Sequence, residues 1–350
     1  MCYVRDSFSD HPSRGEANVK YVNIPCVEGT DARRASIGHS HCSGKVLPDI
    51  LVKDTLRYVL ITPARNEADL IELTLKSVVA QTLLPVKWII VNDGSTDRTA
   101  EIVSRYAAVH SWIELVEMPP RTERDFAGKA HAINAGRQRV AELQYSVIGN
   151  LDADVSFEPD YFEFLMNRFS INPKLGVAGT AFLEGNLSYN YELVGIEHVA
   201  GMCQMFRREC FEAIGGYPAI KSGGIDLIAV LNARAKGWET RTFLEKTFLH
   251  HRSQGGVLHS GLRGRWHMGR KDYILGNHPV WEFFRSFYQM QYKPYIIGGL
   301  LVLASYLWHW IRRVERTIPH ELMVFRRGDQ LRRLKRVIER RLHLTTTIEK

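Results

Sequence analysis

The alternation of short apolar runs with longer amphipathic segments between residues 57 and 151 is the feature that most restricts the fold. Four of the apolar runs have the length of buried strands, and segments with apolar residues at helical spacing separate them. Strands that alternate with helices of about ten or more residues form parallel sheets with right-handed crossovers. We therefore predict an α/β fold. The four predicted strands are RYVLIT, VKWIIV, WIELVEM and YSVIGNL.

Polar clusters follow three of the four predicted strands. PARNE (residues 63–67) follows the first strand, NDGSTD (92–97) the second and DAD (152–154) the fourth. Ligands of open α/β sheets bind outside the carboxyl ends of the strands. We therefore expect the three clusters to line one crevice, although an ordinary strand–turn–helix connection would also explain NDGSTD.

Asp152 and Asp154 place two like charges directly after a buried strand. Two carboxylates this close repel each other unless a positive charge lies between or beside them, so a divalent cation is the first candidate. A calcium-binding loop is a rival interpretation, but Phe157 occupies the position of its sharp-turn glycine, and a strand precedes the loop where a helix should. A plain surface loop is the other alternative.

The stretches PARNE, VNDGSTDRT, GKAHAINAG and NLDAD, in this order, resemble the family 2 glycosyltransferases. The resemblance covers roughly residues 57–255. It implies a GT-A fold, which is a Rossmann-like, mostly parallel sheet flanked by helices. It also implies inverting transfer of a sugar from a nucleotide-sugar donor, usually UDP-linked, to a saccharide or lipid-linked acceptor. Mg2+ or Mn2+ would be the cofactor, and the product would be a polysaccharide or glycoconjugate.

The same resemblance implies roles for residues of the strand-end clusters. Asp154 would ligate the metal that bridges the donor diphosphate, and Asp152 would contact the ribose or the metal. Lys129 would lie near the nucleotide and its phosphates. Pro63, Arg65 and Glu67 would line the nucleoside pocket, and Asp93 would contact the base.

An inverting transferase also needs a base that takes the proton of the acceptor hydroxyl. Asp226 lies at the start of a predicted amphipathic helix, after two glycines, where the family usually carries this base. A helix N-terminus favours the ionised carboxylate. Ile225 departs from the family's usual Glu-Asp pair, and a plain capping role for Asp226 is the alternative.

The stretch HHRSQGG follows a predicted strand and adds candidates for the same site. His251 is a candidate metal ligand, and His250 is a candidate for the metal or for the acceptor and phosphate side. Arg252 is a candidate for binding the diphosphate. A structural role is the alternative for either histidine.

The stretch LRGRW resembles the end of the QxxRW signature of processive polysaccharide synthases. Arg265 and Trp266 match that signature and are candidates for the acceptor side, where the Trp266 ring could stack on a sugar. Leu262 stands where the signature has glutamine, so processivity is not implied.

The positive charge of the chain is concentrated near its C-terminus. The net charge is +8, and residues 312–341 hold eleven Lys/Arg against four Asp/Glu, a net of +7. Leu331, Leu334, Val337, Ile338 and Leu342 form one apolar stripe among these arginines. Such a helix is typical of binding to an anionic membrane surface. A brace that packs on the catalytic domain is the alternative.

The segment 295–311 is apolar over seventeen residues, which is short for a membrane-spanning helix. We therefore predict peripheral or monotopic association with the cytoplasmic face of the membrane. A spanning or re-entrant segment and packing against the protein's own core remain alternatives. Nucleic acid is not an expected partner, because it would explain the basic tail but not the strand-end clusters.

These patterns predict three regions. Residues 1–55 form an N-terminal extension, 56–255 the catalytic domain, and 256–350 a helical, basic, membrane-associating region. The catalytic domain would divide into a nucleotide-binding half, about 56–155, and an acceptor half, about 156–255.

Five cysteines without a CxxC pair indicate free thiols in a reducing compartment. The polar residues 1–20 predict no signal peptide, and HSHC (39–42) is at most half a zinc site. A non-catalytic nucleotide- or saccharide-binding protein at the membrane is the alternative function.

Overall fold

The four strands predicted from the sequence lie side by side and are all parallel. The computed structural model describes residues 3–5, 56–119, 127–185, 187–221, 223–252 and 261–348. Most of the predicted N-terminal extension, including HSHC at 39–42, lies outside these residues. The strands are β1 Tyr3–Arg5, β2 Tyr58–Ala64, β3 Lys87–Asn92, β4 Ile113–Glu117, β5 Val147–Leu151, β6 Val155–Phe157, β7 Leu175–Leu183, β8 Leu187–Tyr189, β9 Cys203–Arg207 and β10 Glu239–His250.

Four further strands extend this sheet to eight, in the order β4-β3-β2-β5-β9-β7-β10-β6. β9 runs antiparallel to both β5 and β7, β10 is parallel to β7, and β6 is antiparallel to β10. Four of the seven neighbouring pairs are therefore parallel. β1 pairs separately with β8, antiparallel.

Helices cover both faces of the large sheet. Alternate strand residues point to opposite faces, so Leu60 packs into the apolar cluster on one face and Ile61 into the cluster on the other. The first face carries α1, α2 and α4, and the second carries α3, α6 and α7. The helices are α1 Ile71–Val79, α2 Thr99–Val109, α3 Ala127–Val140, α4 Tyr161–Ile171, α5 Tyr191–Val194, α6 Arg208–Ala213, α7 Ile225–Ala235, α8 Gly261–Ile274, α9 Pro279–Gln289, α10 Ile297–Ile311 and α11 His320–Ile348.

The C-terminal helix α11 packs on α7. Leu322 and Met323 of α11 belong to a buried apolar cluster with Ile228 and Leu231 of α7. Both terminal nitrogens of the Arg234 guanidinium group also donate to Asp329, at 2.6 and 3.0 Å. The first half of the basic segment is thus a brace, as one of the alternatives from the sequence had it, and the described residues all belong to one compact unit.

The apolar segment 295–311 contains α10, which has 15 residues. Within the described residues, no helix combines the length and the apolar character that crossing a membrane requires. The division of the chain at residue 255 stays a prediction.

Candidate active site

The loops after β2 and β3 are joined to each other by hydrogen bonds. The backbone N–H of Glu67 donates to Thr99 Oγ1 at 2.8 Å, and that of Asp93 donates to the Ala64 carbonyl at 2.9 Å. Asp93 is buried, and its carboxylate lies 3.7 Å from Arg65 Nη1. Two of the predicted polar clusters therefore form one wall at the carboxyl ends of these strands, and Pro63 belongs to it through its place in β2 opposite Val91.

Positive side chains lie beside both aspartates of the DAD stretch. Lys129 Nζ, from α3, is 2.5 Å from Asp152 Oδ1 and also donates to the Gly201 carbonyl at 3.2 Å. Asp154 lies 3.5 Å from both His250 Nε2 and Arg252 Nε. Burial lowers the pKa of Lys129, but Asp152 outweighs this and raises it above its usual value. Burial raises the pKa of Asp154, but His250 and Arg252 outweigh this and hold it below its usual value.

His250 and His251 point in different directions because they are consecutive residues at the end of a strand. His250 is buried, and its Nδ1 lies 3.1 Å from the buried Glu184 carboxylate, which leaves Nε2 facing Asp154. His251 is exposed, and its Nε2 lies 2.8 Å from Ser156 Oγ. The structure therefore brings His250 to the aspartates, whereas the side chain of His251 contacts the neighbouring β6.

Arg252 connects the end of β10 to the loop after β2. Its guanidinium group binds both carboxylate oxygens of Glu67, with one distance of 3.1 Å. Burial raises the pKa of Glu67 to about 7, although Arg252 acts in the opposite direction. One arginine thus binds carboxylates from two strand ends, Glu67 and Asp154.

Asp226 reaches this cluster from the start of α7. It is the second residue of that helix, and the N-cap is Gly224 with a φ of 81°. A Cβ atom at Gly201 would lie 2.5 Å from Asp226 Oδ2, so the glycine lets the carboxylate approach the backbone closely. The Gly201 carbonyl accepts the hydrogen bond from Lys129, which also pairs with Asp152. The proposed base and the DAD stretch are therefore neighbours.

These features can be compared with known proteins. A family model described as Glycosyl transferase family 2 matches residues 59–215, which hold the clusters after β2, β3 and β5. Over these residues, the resemblance to glycosyltransferase family 2 that the sequence indicated is confirmed. The poly-beta-1,6-N-acetyl-D-glucosamine synthase of Staphylococcus aureus (strain MSSA476) is 30% identical over 154 residues, which are 44% of this chain and 35% of that protein. The protein of the same name from Staphylococcus epidermidis is 31% identical over 136 residues, or 39% of this chain and 31% of that protein.

The chain therefore spans about a third of the length of these curated relatives. Among solved structures, the mannosyltransferase PcManGT from Pyrobaculum calidifontis, in complex with GDP-Man and Mn2+, aligns over 79% of this chain and 80% of its own. Its TM-score is 0.50 at 20% identity. The fold predicted from the sequence, a GT-A sheet flanked by helices, is confirmed.

Asp226, His250 and Arg252 lie outside the range that the glycosyltransferase family model matches. Their association with the site rests on the geometry. Sequence reasoning missed two residues of this region. Glu184, at the end of β7, orients His250, and His198 is buried near Asp226 with no hydrogen-bond partner for its Nε2. Neither Glu184 nor His198 belongs to a recognisable motif. The only sequence signal for Glu184 was its position at the end of a strand.

Arg265 and Trp266 have partners in the C-terminal helices. Arg265 donates to Gln289 Oε1 at 2.5 Å and to the Lys293 carbonyl at 2.8 Å, and the Trp266 carbonyl accepts a hydrogen bond from Ser305 at 2.6 Å. These contacts join α8 to α9, α10 and the turn between them. The predicted acceptor role of Arg265 and Trp266 stays a prediction.

The chemistry of the DAD region fits a divalent cation that substrate oxygens help to hold. No group of three or more His, Cys, Asp or Glu side chains that could hold a metal ion is found in the described part of the chain. However, Asp154 Oδ1 and His250 Nε2 face each other at 3.5 Å, a separation that suits two neighbouring ligands of one ion. Mg2+ and Mn2+ sites commonly use one or two carboxylates, with substrate phosphates as further ligands.

Proposed function

We propose that this chain transfers a sugar from a nucleotide-sugar donor to an acceptor hydroxyl, with inversion at the sugar carbon and with a divalent cation as cofactor. One observation carries the proposal. Asp93, Asp152 and Asp154 follow parallel strands at one edge of the sheet, and Lys129 interacts electrostatically with Asp152, Asp154 and Asp226. The crevice outside this edge is the usual ligand site of such a sheet.

The donor would lie across the strand ends. Pro63, Arg65 and Glu67 would line the nucleoside pocket, and the buried Asp93 carboxylate would accept a hydrogen bond from the ring N–H of a pyrimidine, which favours a UDP-linked sugar. Lys129 and Arg252 are the cations nearest the aspartates. In this proposal they turn from Asp152 and Asp154 to the donor diphosphate.

Asp154 and His250 would hold the cation, with Asp152 as a further ligand. Glu184 at His250 Nδ1 supports this, because a carboxylate that fixes the other ring nitrogen is typical of metal-binding histidines. When bound, Mg2+ or Mn2+ would stabilise the negative charge that grows on the leaving diphosphate. His251, the candidate from the sequence, contacts Ser156 and is the weaker proposal.

Asp226 would be the base. Its carboxylate lies in the first turn of α7, close to the Gly201 backbone. In the proposed step the acceptor oxygen attacks the sugar carbon, its proton passes to the Asp226 carboxylate, and the bond from sugar to phosphate breaks on the opposite face. The electron pair of that bond leaves with the diphosphate.

The acceptor would be a saccharide or a lipid-linked saccharide at the cytoplasmic face of a membrane. The two curated relatives are named synthases of an N-acetylglucosamine polymer, which supports an acetylated hexosamine donor and a carbohydrate acceptor. Processive synthesis is not part of the proposal, because Leu262 replaces the glutamine of the QxxRW signature.

Thermal unfolding with a panel of nucleotide sugars tests the proposal. Mn2+ alone and each nucleotide sugar alone should raise the melting temperature little, whereas one nucleotide sugar together with Mn2+ should raise it by several degrees. The same donor should be hydrolysed slowly by the wild-type chain but not by Asp226→Asn. Stabilisation without any hydrolysis or transfer would favour the non-catalytic binding protein, and stabilisation by no donor would refute both functions.

A further inference from the structure

Helix α9 has its polar residues inside and its apolar residues outside. Its buried side chains are Glu282, Arg285, Ser286 and Gln289. In contrast, Phe283 and Phe287 are 64% and 66% exposed, and Val280 is 53% exposed. These three residues form a stripe at helical spacing, which we call the α9 outer stripe. The orientation is the reverse of that of an amphipathic helix on a water-soluble core.

Helix α10 repeats this inversion with small residues inside. A Cβ atom on Gly299 would lie 2.3 Å from the Ser286 carbonyl of α9, and one on Gly269 of α8 would lie 2.1 Å from the Val302 carbonyl of α10. Such close helix contacts through small residues are typical of helices packed in lipid. Ile297, Leu300 and Ile311, which we call the α10 outer stripe, are at least half exposed.

A network of polar side chains explains why the interior of this helical region does not need the large apolar residues. Asp272 of α8 pairs with Arg285 of α9. Asn277, between these helices, donates to Glu282 at 2.7 Å and accepts hydrogen bonds from Arg326 and Gln330 of α11. Hydrogen bonds and ion pairs therefore hold the helices together, and the apolar side chains of the outer stripes remain exposed on the surface.

Aromatic and basic side chains follow the α10 outer stripe at its C-terminal end. Trp308 and Trp310 are about half exposed, and the Arg312 guanidinium group stacks on the Trp308 ring at 4.6 Å. Arg312 and Arg313 are exposed directly after the helix. Along α10, aliphatic residues are followed by tryptophans and then by arginines, and this order matches the layers of a lipid leaflet from the hydrocarbon to the anionic headgroups.

We propose that the outer stripes of α9 and α10 insert into the hydrocarbon of one leaflet of an anionic bilayer, with Arg312 and Arg313 at the headgroups. With 15 residues, α10 is roughly 22 Å long, shorter than the hydrocarbon core of about 30 Å, so insertion into one leaflet fits its length. The inference rests on the membrane location in the proposed function and identifies the surface responsible.

This assignment differs from the expectation that the stripe of α11 binds the membrane. The first half of α11 packs on α7, and its Arg326 side chain is buried in the polar network. A second copy of this chain is the competing occupant of the outer stripes. Lipid is favoured because two neighbouring helices show the same inversion and because the α10 stripe ends in tryptophans and arginines.

Flotation of the full chain with phosphatidylcholine vesicles, with and without one-quarter phosphatidylglycerol, tests the proposal. Phe283→Ser with Phe287→Ser should lower the partition coefficient at least about tenfold on both vesicle types, because two exposed rings lose their contact with hydrocarbon. The matched control, Val109→Ser with Ile171→Ser, alters two apolar residues that are 76% and 67% exposed on α2 and α4, and it should bind like the wild type. Binding to the anionic vesicles should persist in part at high salt.

Equal vesicle binding by the Phe283/Phe287 variant and the wild type would overturn the proposal. So would a wild-type dimer that this variant converts to monomer while vesicle binding stays unchanged, because a second copy would then cover the stripes. Donor-induced thermal stabilisation is measured on the same proteins without vesicles. Loss of vesicle binding with intact donor binding supports the inference. Vesicle binding without any response to a donor supports the inference while refuting the proposed function.

Discussion

Replacing Asp329 by asparagine should destabilise the whole fold, because this carboxylate joins α11 to the helix that carries Asp226. Asp329 accepts hydrogen bonds from Arg234 at 2.6 and 3.0 Å and from Arg333 at 3.0 Å, and its side chain is 7% exposed. Asparagine keeps the shape but removes the negative charge that Arg234 and Arg333 share, and Arg333 keeps only the longer contact to Glu197 at 3.8 Å. Hydrogen bonds to charged groups contribute about 1.5–3 kcal/mol each, and breaking a buried pair costs about 3–5 kcal/mol. We expect a loss of about 3 kcal/mol.

That loss converts into a shift of the melting temperature. An unfolding entropy of about 2.1 cal/mol/K per residue over 350 residues gives a decrease of about 4 °C. Burial raises the pKa of Asp329, but Arg234 and Arg333 outweigh this and hold it below the usual 3.8. The contribution is therefore present above pH 3.8 and is lost as the pH falls through the lowered value, so the variant and the wild type should converge in acid.

Differential scanning calorimetry of the variant beside Lys335→Ala provides the measurement. Lys335 forms an exposed pair with Glu339 on the same helix at 3.8 Å, and its loss should change the stability by less than about 0.5 kcal/mol. If Asp329→Asn lowered the melting temperature no more than Lys335→Ala, α11 would not be a brace. Removal of residues 312–350 would then be expected to spare donor binding.

Further predictions concern the site itself. Asp226→Asn should lower kcat about 100-fold or more in a transfer assay with little change in donor affinity, and a collapse of donor affinity would make Asp226 a binding residue. Glu184→Gln should weaken Mn2+ binding, titrated calorimetrically with the nucleotide present, by about 10–100-fold, whereas the exposed Glu245→Gln should not. Burial lowers the pKa of His198 from 6.5 to about 4, so the folded state disfavours its protonation and stability falls as the pH drops from 6.5 towards 4. His198→Gln should remove about 2 kcal/mol of the stability lost between pH 7 and 5, measured by urea unfolding, and equal losses in both proteins would contradict this reasoning.

The strand ends of the site could be predicted from the sequence because their signals are local. An apolar run that stops at Asp152 indicates a strand end, and parallel strands bring such ends together. The contact between Arg252 and Glu67 could not be predicted, because it depends on where β10 lies in the sheet. The choice between His250 and His251 depends on the antiparallel pairing of β10 with β6, which places only one of two consecutive side chains beside Asp154.

The sequence did not predict that the polar face of α9 is buried and its apolar face exposed. An amphipathic pattern indicates that a helix has a polar and an apolar face, but it does not indicate which face meets the protein. That choice depends on what the neighbouring helices offer. Here α8 supplies Asp272, and Asn277 follows it, so Arg285 and Glu282 on the polar face of α9 have partners inside. The apolar stripe of α11 was likewise visible from its periodicity, but the periodicity did not indicate what the stripe contacts.

The electrostatics of the site explain why metal and donor should bind together. Lys129, Arg252 and His250 already compensate Asp152 and Asp154 in the free chain, so a cation alone gains little from these carboxylates and must displace positive groups to reach them. A nucleotide diphosphate alone gains Lys129 and Arg252 but would leave the two aspartates without counter-charges. In the proposed function, Asp152 and Asp154 would hold a cation that binds together with the diphosphate, and Lys129 and Arg252 would then pair with the phosphate oxygens, which would leave no charge without a partner. If the proposed function holds, this arrangement would favour the metal–nucleotide complex over either component and would link release of the cation to release of the product diphosphate.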